Sequence, residues 1–322
     1  MPSTKNPSQL DAAEGLDVVT KGPARLAIQR YWRNPGAAIS TVIFGLILLA
    51  VIFTGVTARY GINEAVIDIN DGKNQYLAPS KIAWMGTDDI GRDLYSRLLY
   101  GTRSSLLIGA AAGLLSLLVG TIIGVFSGIR GGRFDDIVMR VTDIFLAFPF
   151  LVSIIIMRAF LGNLPWLTAI IGEISSFRFL IFLLTFFGWM GVARLVRGSV
   201  LALKEREFVE AARAVGATNT RIAFSHLIPN SIGPLLVSFS IAVIGNLVAE
   251  STLSFFGLGP QPGSDSTSLG NLVSLSQAGA KQGNWWLVAY PCGVLVVLAV
   301  CINFIGDGLR DAFDPKLDKG KG

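Results

Sequence analysis

The sequence predicts an all-α integral membrane protein with six transmembrane helices. Two observations lead to this fold class. Hydrophobic residues make up 52% of the 322 residues and charged residues only 15%, whereas soluble globular domains carry about 25% charged residues. Several apolar runs also reach the roughly 20 residues that a helix needs to cross the hydrocarbon core of a bilayer.

Six apolar segments are the predicted spans. Three of them contain no charged residue, namely Ala37–Ala58, Ser104–Ile129 and Trp285–Gly306. Three more carry a few charges, namely Ile137–Phe160, Phe179–Ala202 and Ile232–Gly257. The first run is too long for the apolar region of a secretory signal peptide, so we expect it to remain in the membrane.

The distribution of Lys and Arg predicts the orientation. With six spans both chain ends share one side, and that side holds eighteen of the 27 Lys and Arg residues. The positive-inside rule therefore places both ends in the cytoplasm. The predicted organisation is a cytoplasmic tail with an interfacial segment (1–36), a first span with a long outer loop (37–103), a core of five spans (104–306) and a cytoplasmic C-terminal tail (307–322).

The segment Gly86–Leu106 has the pattern of an amphipathic helix that leads into the second span. Thr87 or Asp88 can cap its N-terminus, and Asp93 and Arg97 are spaced to pair at i and i+4. We expect this helix to lie on the outer membrane interface.

Other features exclude function classes. The net charge of +5 does not indicate nucleic-acid binding, because the basic residues flank the spans instead of forming one stripe. His226 is the single histidine, which argues against a metal site or a catalytic triad. Cys292 and Cys301 lie on one predicted helix about 13 Å apart, too far for a disulfide.

The segment Gly259–Asn284 is rich in Gly, Ser and Gln and is predicted to be a solvated outer loop.

The fourth connection, 204–233, carries the most informative pattern. Its first part is predicted to be a helix with apolar residues on one side, namely Phe208, Val209, Ala212 and Val215. Gly216 can end this helix in the left-handed conformation, Thr218 can cap a second helix, and Pro229 is expected to stop it. A helical hairpin with a small apolar face is suited to docking on a partner, although a merely connecting hairpin also fits.

This connection resembles the EAA loop of binding-protein-dependent ABC importer permeases. The family pattern is EAA-x3-G-x9-I-x-L-P, and the chain keeps its spacing from Glu210 through Gly216 to Pro229. It departs from the pattern at His226 and Ile228, where the family has Ile and Leu. Further segments, including "MRVTDIFLAFP" and "GDGLRDAFDP", resemble the C-type subunit of the oligopeptide and dipeptide branch.

The resemblance implies the type I importer architecture in the inner membrane of a prokaryotic cell. It implies two related permeases, one or two cytoplasmic ATPases and an extracytoplasmic solute-binding protein, within membrane lipid. Phe208–Gly216 would be the coupling helix, with Glu210 making polar contacts, Ala211 and Ala212 allowing close packing, and Gly216 setting the turn.

The chain has no phosphate-binding G-x-x-x-x-G-K-[ST] motif, since Gly72-Lys73 lacks both the earlier glycine and the following Ser or Thr. We therefore expect no enzymatic activity and no cofactor in this chain, with ATP and Mg bound by the partner ATPases.

Three residues inside predicted spans are candidates for the pathway or its gate. Asp143 lies beside Arg140 and fits either a structural role, by snorkelling or a local ion pair, or a gating or subunit contact. Glu250 fits either a pathway site or a capping or interhelical hydrogen bond. Pro149 is expected to kink the third span.

The sequence leaves the substrate open. Di- or oligopeptides are the leading hypothesis, and nickel complexes or oligosaccharides remain alternatives within the same architecture. An ion-coupled secondary transporter is the alternative from a different class, but no convincing internal repeat supports it.

Overall fold

The structure is a computed structural model that describes residues 23–67, 76–259 and 267–313. Within these ranges the regular secondary structure is helical, apart from two isolated β-bridges. The predicted tails before residue 23 and after residue 313, together with Gly72-Lys73, lie outside the described residues.

The helices follow one another in a simple order. They are α1 (Pro23–Arg33), α2 (Pro35–Ile52), α3 (Thr54–Thr57), α4 (Leu94–Arg130), α5 (Gly132–Ala147), α6 (Phe150–Gly162), α7 (Pro165–Ile171), α8 (Phe177–Leu203), α9 (Glu207–Ala214), α10 (Asn219–Ile222), α11 (Ile228–Asn230), α12 (Ile232–Phe255), α13 (Leu269–Lys281) and α14 (Trp286–Phe313), with a π-helical turn at Ala223–Leu227 between α10 and α11.

Five helices of the described chain are long and apolar enough to cross a membrane, namely α2, α4, α8, α12 and α14. They correspond to five of the six predicted spans. The sixth, Ile137–Phe160, consists of two shorter helices, α5 and α6, whose axes differ in direction by 100°. The chain therefore has six spans only if this bent pair counts as one.

Pro149 is the physical cause of this break. Phe148 before it has φ −87° and ψ 144°, an extended conformation, because a residue that precedes proline avoids the helical region. Pro149 itself is extended at ψ 123° and becomes the N-cap of α6. The kink expected from the sequence is thus a complete interruption of the helix.

Helices α4 and α8 form the most extensive helix pair among the described residues. They run parallel, because Gly120 faces Val192 and, further along both helices, Gly128 faces Val200. Three glycines one turn apart on α4 make this approach possible, namely Gly120, Gly124 and Gly128. A Cβ atom added at Gly124 would lie 2.5 Å from the carbonyl oxygen of Ala193. Small residues permit such contact in membranes, where helix association depends on packing and not on water exclusion.

The remaining helices surround this pair. One apolar cluster joins α4 and α8 to α6 and α12, and it includes Ile108, Ile154 and Leu253. A second cluster joins α4 to α12, α13 and α14, with Leu298 and Leu269 fully buried. Helix α2 packs mainly on α14. Helix α4 is therefore the element that the other long helices share.

The prediction of a solvated loop at Gly259–Asn284 is wrong in its second half. Helix α13 begins after Ser268, whose side chain accepts a hydrogen bond from the Asn271 amide at 3.2 Å. Leu269 and Leu272 are buried against the bundle. Glycine at position 270 lets the helix touch α12, because a Cβ there would lie 2.6 Å from the Cα atom of Ser251. Small residues that looked typical of a loop therefore serve close packing.

The segment before the second span also differs from the prediction. The helix begins at Leu94 with Asp93 as its N-cap, where the carboxylate accepts from the Ser96 amide at 2.8 Å. Arg97 pairs with Asp88 and not with Asp93. Arg97 is only 2% exposed, so this segment is a buried extension of α4 and not a helix lying on the membrane interface.

The glycine contacts between α4 and α8 yield a prediction. Gly124→Ala should lower the free energy of unfolding by about 1–3 kcal/mol, the usual cost of overpacking, because the Ala193 carbonyl cannot move without shifting α8. Unfolding in mixed micelles would measure it. Gly45→Ala on α2 is the control, since an added Cβ there has no neighbour within 4 Å. Equal stability of both variants would contradict the proposed contact.

Candidate functional site

The EAA-like loop begins with α9, and its end has a complete hydrogen-bonded cap. Gly216 has φ +83°, the left-handed region expected from the sequence. Its amide donates to the Arg213 carbonyl at 2.9 Å, and the Ala217 amide donates to the Ala212 carbonyl at 3.0 Å. These two bonds form a Schellman motif. Gly216 therefore sets both the end of α9 and the direction of the chain that follows.

The faces of α9 differ from the prediction of a single apolar docking side. Val209 is fully buried and Ala212 is 9% exposed. Both pack in a cluster with Val196 of α8 and Leu227 of the π-helical turn. Val215 is 86% exposed. Val209 and Ala212, two of the four residues predicted to share one docking side, therefore pack α9 against the rest of the permease and are not available to a partner.

The second half of the loop also departs from the prediction. Thr218 caps α10 as expected, accepting from the Arg221 amide at 3.3 Å. Pro229, however, does not stop the helix. The preceding turn widens to a π-helix in which the Ile228 amide donates to the Ala223 carbonyl five residues earlier. Such single π-helical turns are rare and often lie at functional sites. The helical path continues through Pro229 to a turn at Ser231.

The other candidate residues of the loop lie on its surface. Glu210 and Ala211 are exposed. Phe208 is 39% exposed, and its ring lies 6.2 Å from the partly buried His226 ring, measured between centroids. Phe224 is a further exposed aromatic residue of the same loop. The loop thus presents a short helix with small, acidic and aromatic side chains outward, on a base packed into α4, α8 and α12.

Two arginines of α8 hold the broken span. Arg197 binds both carboxylate oxygens of Asp135, which also accepts from the Ser127 hydroxyl of α4. Asp135 is 7% exposed. One turn earlier, Arg194 pairs with Asp143. The partner of Asp143 is therefore an arginine on another helix and not Arg140, as the sequence suggested.

Glu250 is enclosed at the opposite end of the bundle. Its side chain is 0% exposed, and it accepts hydrogen bonds from Ser105 at 2.9 Å and Ser254 at 2.8 Å. The Ser105 hydroxyl accepts in turn from the Leu269 amide at 3.0 Å. This arrangement joins α12, α4 and the start of α13. It corresponds to the interhelical role that the sequence left open beside a pathway site.

A second polar cluster lies near the same end, where Asp88 holds Arg97 and Arg92, the latter at 2.7 Å. Tyr76 lies beside it. Burial, together with the nearby carboxylates of Asp89 and Asp88, raises the pKa of the Tyr76 phenol.

Comparison with known proteins assigns this architecture to a family. Residues 120–319 match the family described as binding-protein-dependent transport system inner membrane component. The chain belongs to this family. Residues 22–79 match the N-terminal transmembrane domain of oligopeptide transport permease C. This membership identifies a multi-pass membrane permease of the ABC importer type and not the ion-coupled transporter that was the alternative.

Individual relatives support the same assignment. The permease is 38% identical over 294 residues to the oligopeptide transport system permease protein OppC of Bacillus subtilis, covering 91% of this chain and 90% of the relative. It is 37% identical over 320 residues to OppC of Escherichia coli K12, covering 98% of this chain and 99% of the relative. A chain of the inward-facing MetNI methionine ABC transporter has the same fold, with a TM-score of 0.56 and 22% sequence identity. The match covers 67% of the permease and 96% of the MetNI chain.

Asp135, Ser127 and the cross-helix role of Arg197 were not predicted from the sequence. A signal was present. Arg194 and Arg197 lie one turn apart on an apolar helix, and Asp135 and Asp143 lie two turns apart on another. Because charges in spans pair with one another, two acids and two bases at such spacing predict paired neighbours.

These ion pairs yield a prediction about the permease. Arg197→Met should lower the free energy of unfolding by about 2 kcal/mol, because it leaves the buried Asp135 without its partner. Arg194→Met should cost below about 1 kcal/mol, since the Asp143 side chain is 65% exposed. Unfolding in mixed micelles compares the two.

The double variant Asp135→Asn/Arg197→Met is the control and should recover most of the loss, because it removes the unpaired charge. Equal losses for the two arginine variants would show that burial of Asp135 does not govern the stability of this contact.

Proposed function

We propose that the permease is the membrane-spanning subunit of an ATP-driven importer of di- or oligopeptides that a solute-binding protein delivers. The identity to permeases named for oligopeptide and dipeptide transport is the observation that carries this proposal. Nickel complexes and oligosaccharides are less well supported, because these relatives carry peptide names. Both chain ends lie in the cytoplasm in this proposal, in agreement with the distribution of Lys and Arg.

The energy comes from partner subunits. One or two cytoplasmic ATPases bind ATP and Mg, and a second, homologous permease completes the pathway. The absence of a phosphate-binding motif from the sequence supports this division of labour. The permease then contributes a passage and a mechanical contact, and no step of ATP hydrolysis is assigned to its residues.

The mechanical contact is α9 with the turn at Gly216. The helix is only 8 residues long, too short to be stable alone. Its position therefore depends on Val209 and Ala212, which are buried in the cluster that contains residues of α8 and of the π-helical turn. A force applied to the exposed side of α9 by an ATPase passes through this packing to the ends of α4 and α8. Exposed Phe208, Glu210 and Ala211 supply the side that the ATPase contacts.

Replacement of Gly216 tests the coupling role. Gly216→Val should disfavour the loop conformation by about 1–2 kcal/mol, because the left-handed region is costly for residues with a Cβ atom. An added Cβ has no neighbour within 4 Å, so the effect comes from the backbone alone. We expect weaker co-purification of the ATPase and loss of peptide-stimulated ATP hydrolysis in nanodiscs, with membrane insertion unchanged.

Two variants control this experiment. Gly216→Asn should retain most activity, since asparagine tolerates the left-handed conformation. Gly191→Val places the same residue at a position with negative φ and open space, and it should behave as wild type.

Wild-type activity in Gly216→Val would refute the coupling assignment, and absence of any co-purifying ATPase would refute the importer. Stimulation by nickel complexes or oligosaccharides instead of peptides would change only the substrate.

Substitutions at two adjacent alanines of α9 distinguish a role in ATPase docking from a role in the stability of the permease. Ala211 is exposed and Ala212 is buried. Ala211→Arg should abolish ATPase association while leaving the stability of the isolated permease within about 0.5 kcal/mol. Ala212→Leu should instead destabilise the permease by about 1–3 kcal/mol through overpacking. Unfolding and ATPase co-purification would be measured on both variants. A destabilised Ala211→Arg variant, or an Ala212→Leu variant that is stable but does not bind the ATPase, would contradict the assignment of Ala211 to the exposed face and Ala212 to the buried face.

A further inference from the structure

An apolar groove runs along one side of the bundle, separate from the EAA-like loop. It has a volume of about 530 Å³ and lies among α2, α4, α12 and α14. Bulky side chains line it, including Phe44, Leu48, Phe239 and Ile305. The groove exists because α2 packs on α14 but touches α4 only weakly.

Arg103 is the charged residue that lines this groove. It directly precedes the uncharged run that begins at Ser104, so it stands where α4 meets the membrane boundary. Its side chain is exposed, and among residues 23–67, 76–259 and 267–313 the structure gives it no ion pair or hydrogen bond. Arg103 also lines an adjoining cavity of about 420 Å³ together with Tyr100 and Ser104.

The character of the lining indicates the occupant. Ordered water is a poor occupant of the apolar part of the groove, because a stable water needs two to four polar partners. Away from Arg103, the one hydroxyl that lines the groove among the described residues, that of Ser240, already donates to the Leu236 carbonyl. A tightly packed helix from a partner is disfavoured, because such contacts rely on small residues, as on α4 at Gly124. Large apolar side chains around a void of this volume instead suit an alkyl chain.

We propose that the groove binds an anionic phospholipid, with an acyl chain between α2 and α4 and the phosphate on Arg103. A guanidinium binds phosphate through paired, charge-assisted hydrogen bonds. The unpaired cation at one end and the apolar walls beyond it match the two parts of such a lipid. The lipid fills the gap that α2 leaves and ties the first span to the core. This inference is independent of the transported substrate.

Retention of a defined lipid tests the site. The full chain, purified with its co-expressed subunits and stripped of lipid in detergent, would be incubated with phosphatidylglycerol or phosphatidylcholine and examined by native mass spectrometry. We expect retained phosphatidylglycerol on the wild type. Arg103→Gln should weaken its binding at least about tenfold, because it removes the charge from the hydrogen bonds to the phosphate, whereas Arg103→Lys, which keeps the charge but not the paired bonds, should lose less.

Two further variants separate the site from general lipid association. Arg178→Gln removes another exposed arginine, near the start of α8, and it should not change binding because Arg178 itself lines neither cavity. Ala110→Phe should fill the groove and remove the lipid although Arg103 remains. Size-exclusion profiles would confirm that each complex is intact.

Three results would overturn the proposal. They are no retained phosphatidylglycerol on the wild type, equal losses for Arg103→Gln and Arg178→Gln, and cross-linking of a Leu48→Cys variant to another subunit, which would place protein in the groove. Each can occur whether or not the permease carries peptides, so failure of the lipid site is distinct from failure of the importer proposal.

Discussion

The close contact between α4 and α8 is the constraint on which the rest of the permease depends. Glycines at one-turn spacing, such as Gly120 and Gly124, let the two backbones approach to a distance that no side chain would permit. This contact fixes α8, and α8 carries the arginines that hold α5 and leads directly into the EAA-like loop. A membrane supplies no hydrophobic force between helices, so this packing supplies the contact energy.

Polar side chains complete the arrangement at both ends of the bundle. Asp135 with Arg197 at one end, and Glu250 with Ser105 at the other, each join three helices through groups that would be costly alone in an apolar medium. Because each charge or hydroxyl needs its partner, these contacts select one relative position of the helices. The exposed residues of the loop therefore stand on a base whose geometry is defined.

Alanine and glycine have two uses in this chain that a sequence pattern does not separate. Gly216 and Ala211 belong to an exposed loop, whereas Gly124 and Gly270 lie inside helix contacts. The prediction of the left-handed turn at Gly216 succeeded, because local hydrogen bonds determine a helix end. The predicted loop around Gly270 failed, because small residues typical of loops also allow helices to touch.

The sequence by itself determined the six apolar segments, a change of helix direction at Pro149 and the EAA-like loop with its turn, whereas the complete break of the third segment appeared only in the structure. Each depends on neighbouring residues, through apolar length, proline stereochemistry or helix capping. Only the tertiary structure decided that Ala212 faces inward, that Arg97 binds Asp88, and that Asp143 binds Arg194. These choices depend on which helices lie side by side, and the spacing of residues along one helix does not by itself specify which residue of another helix will be the partner.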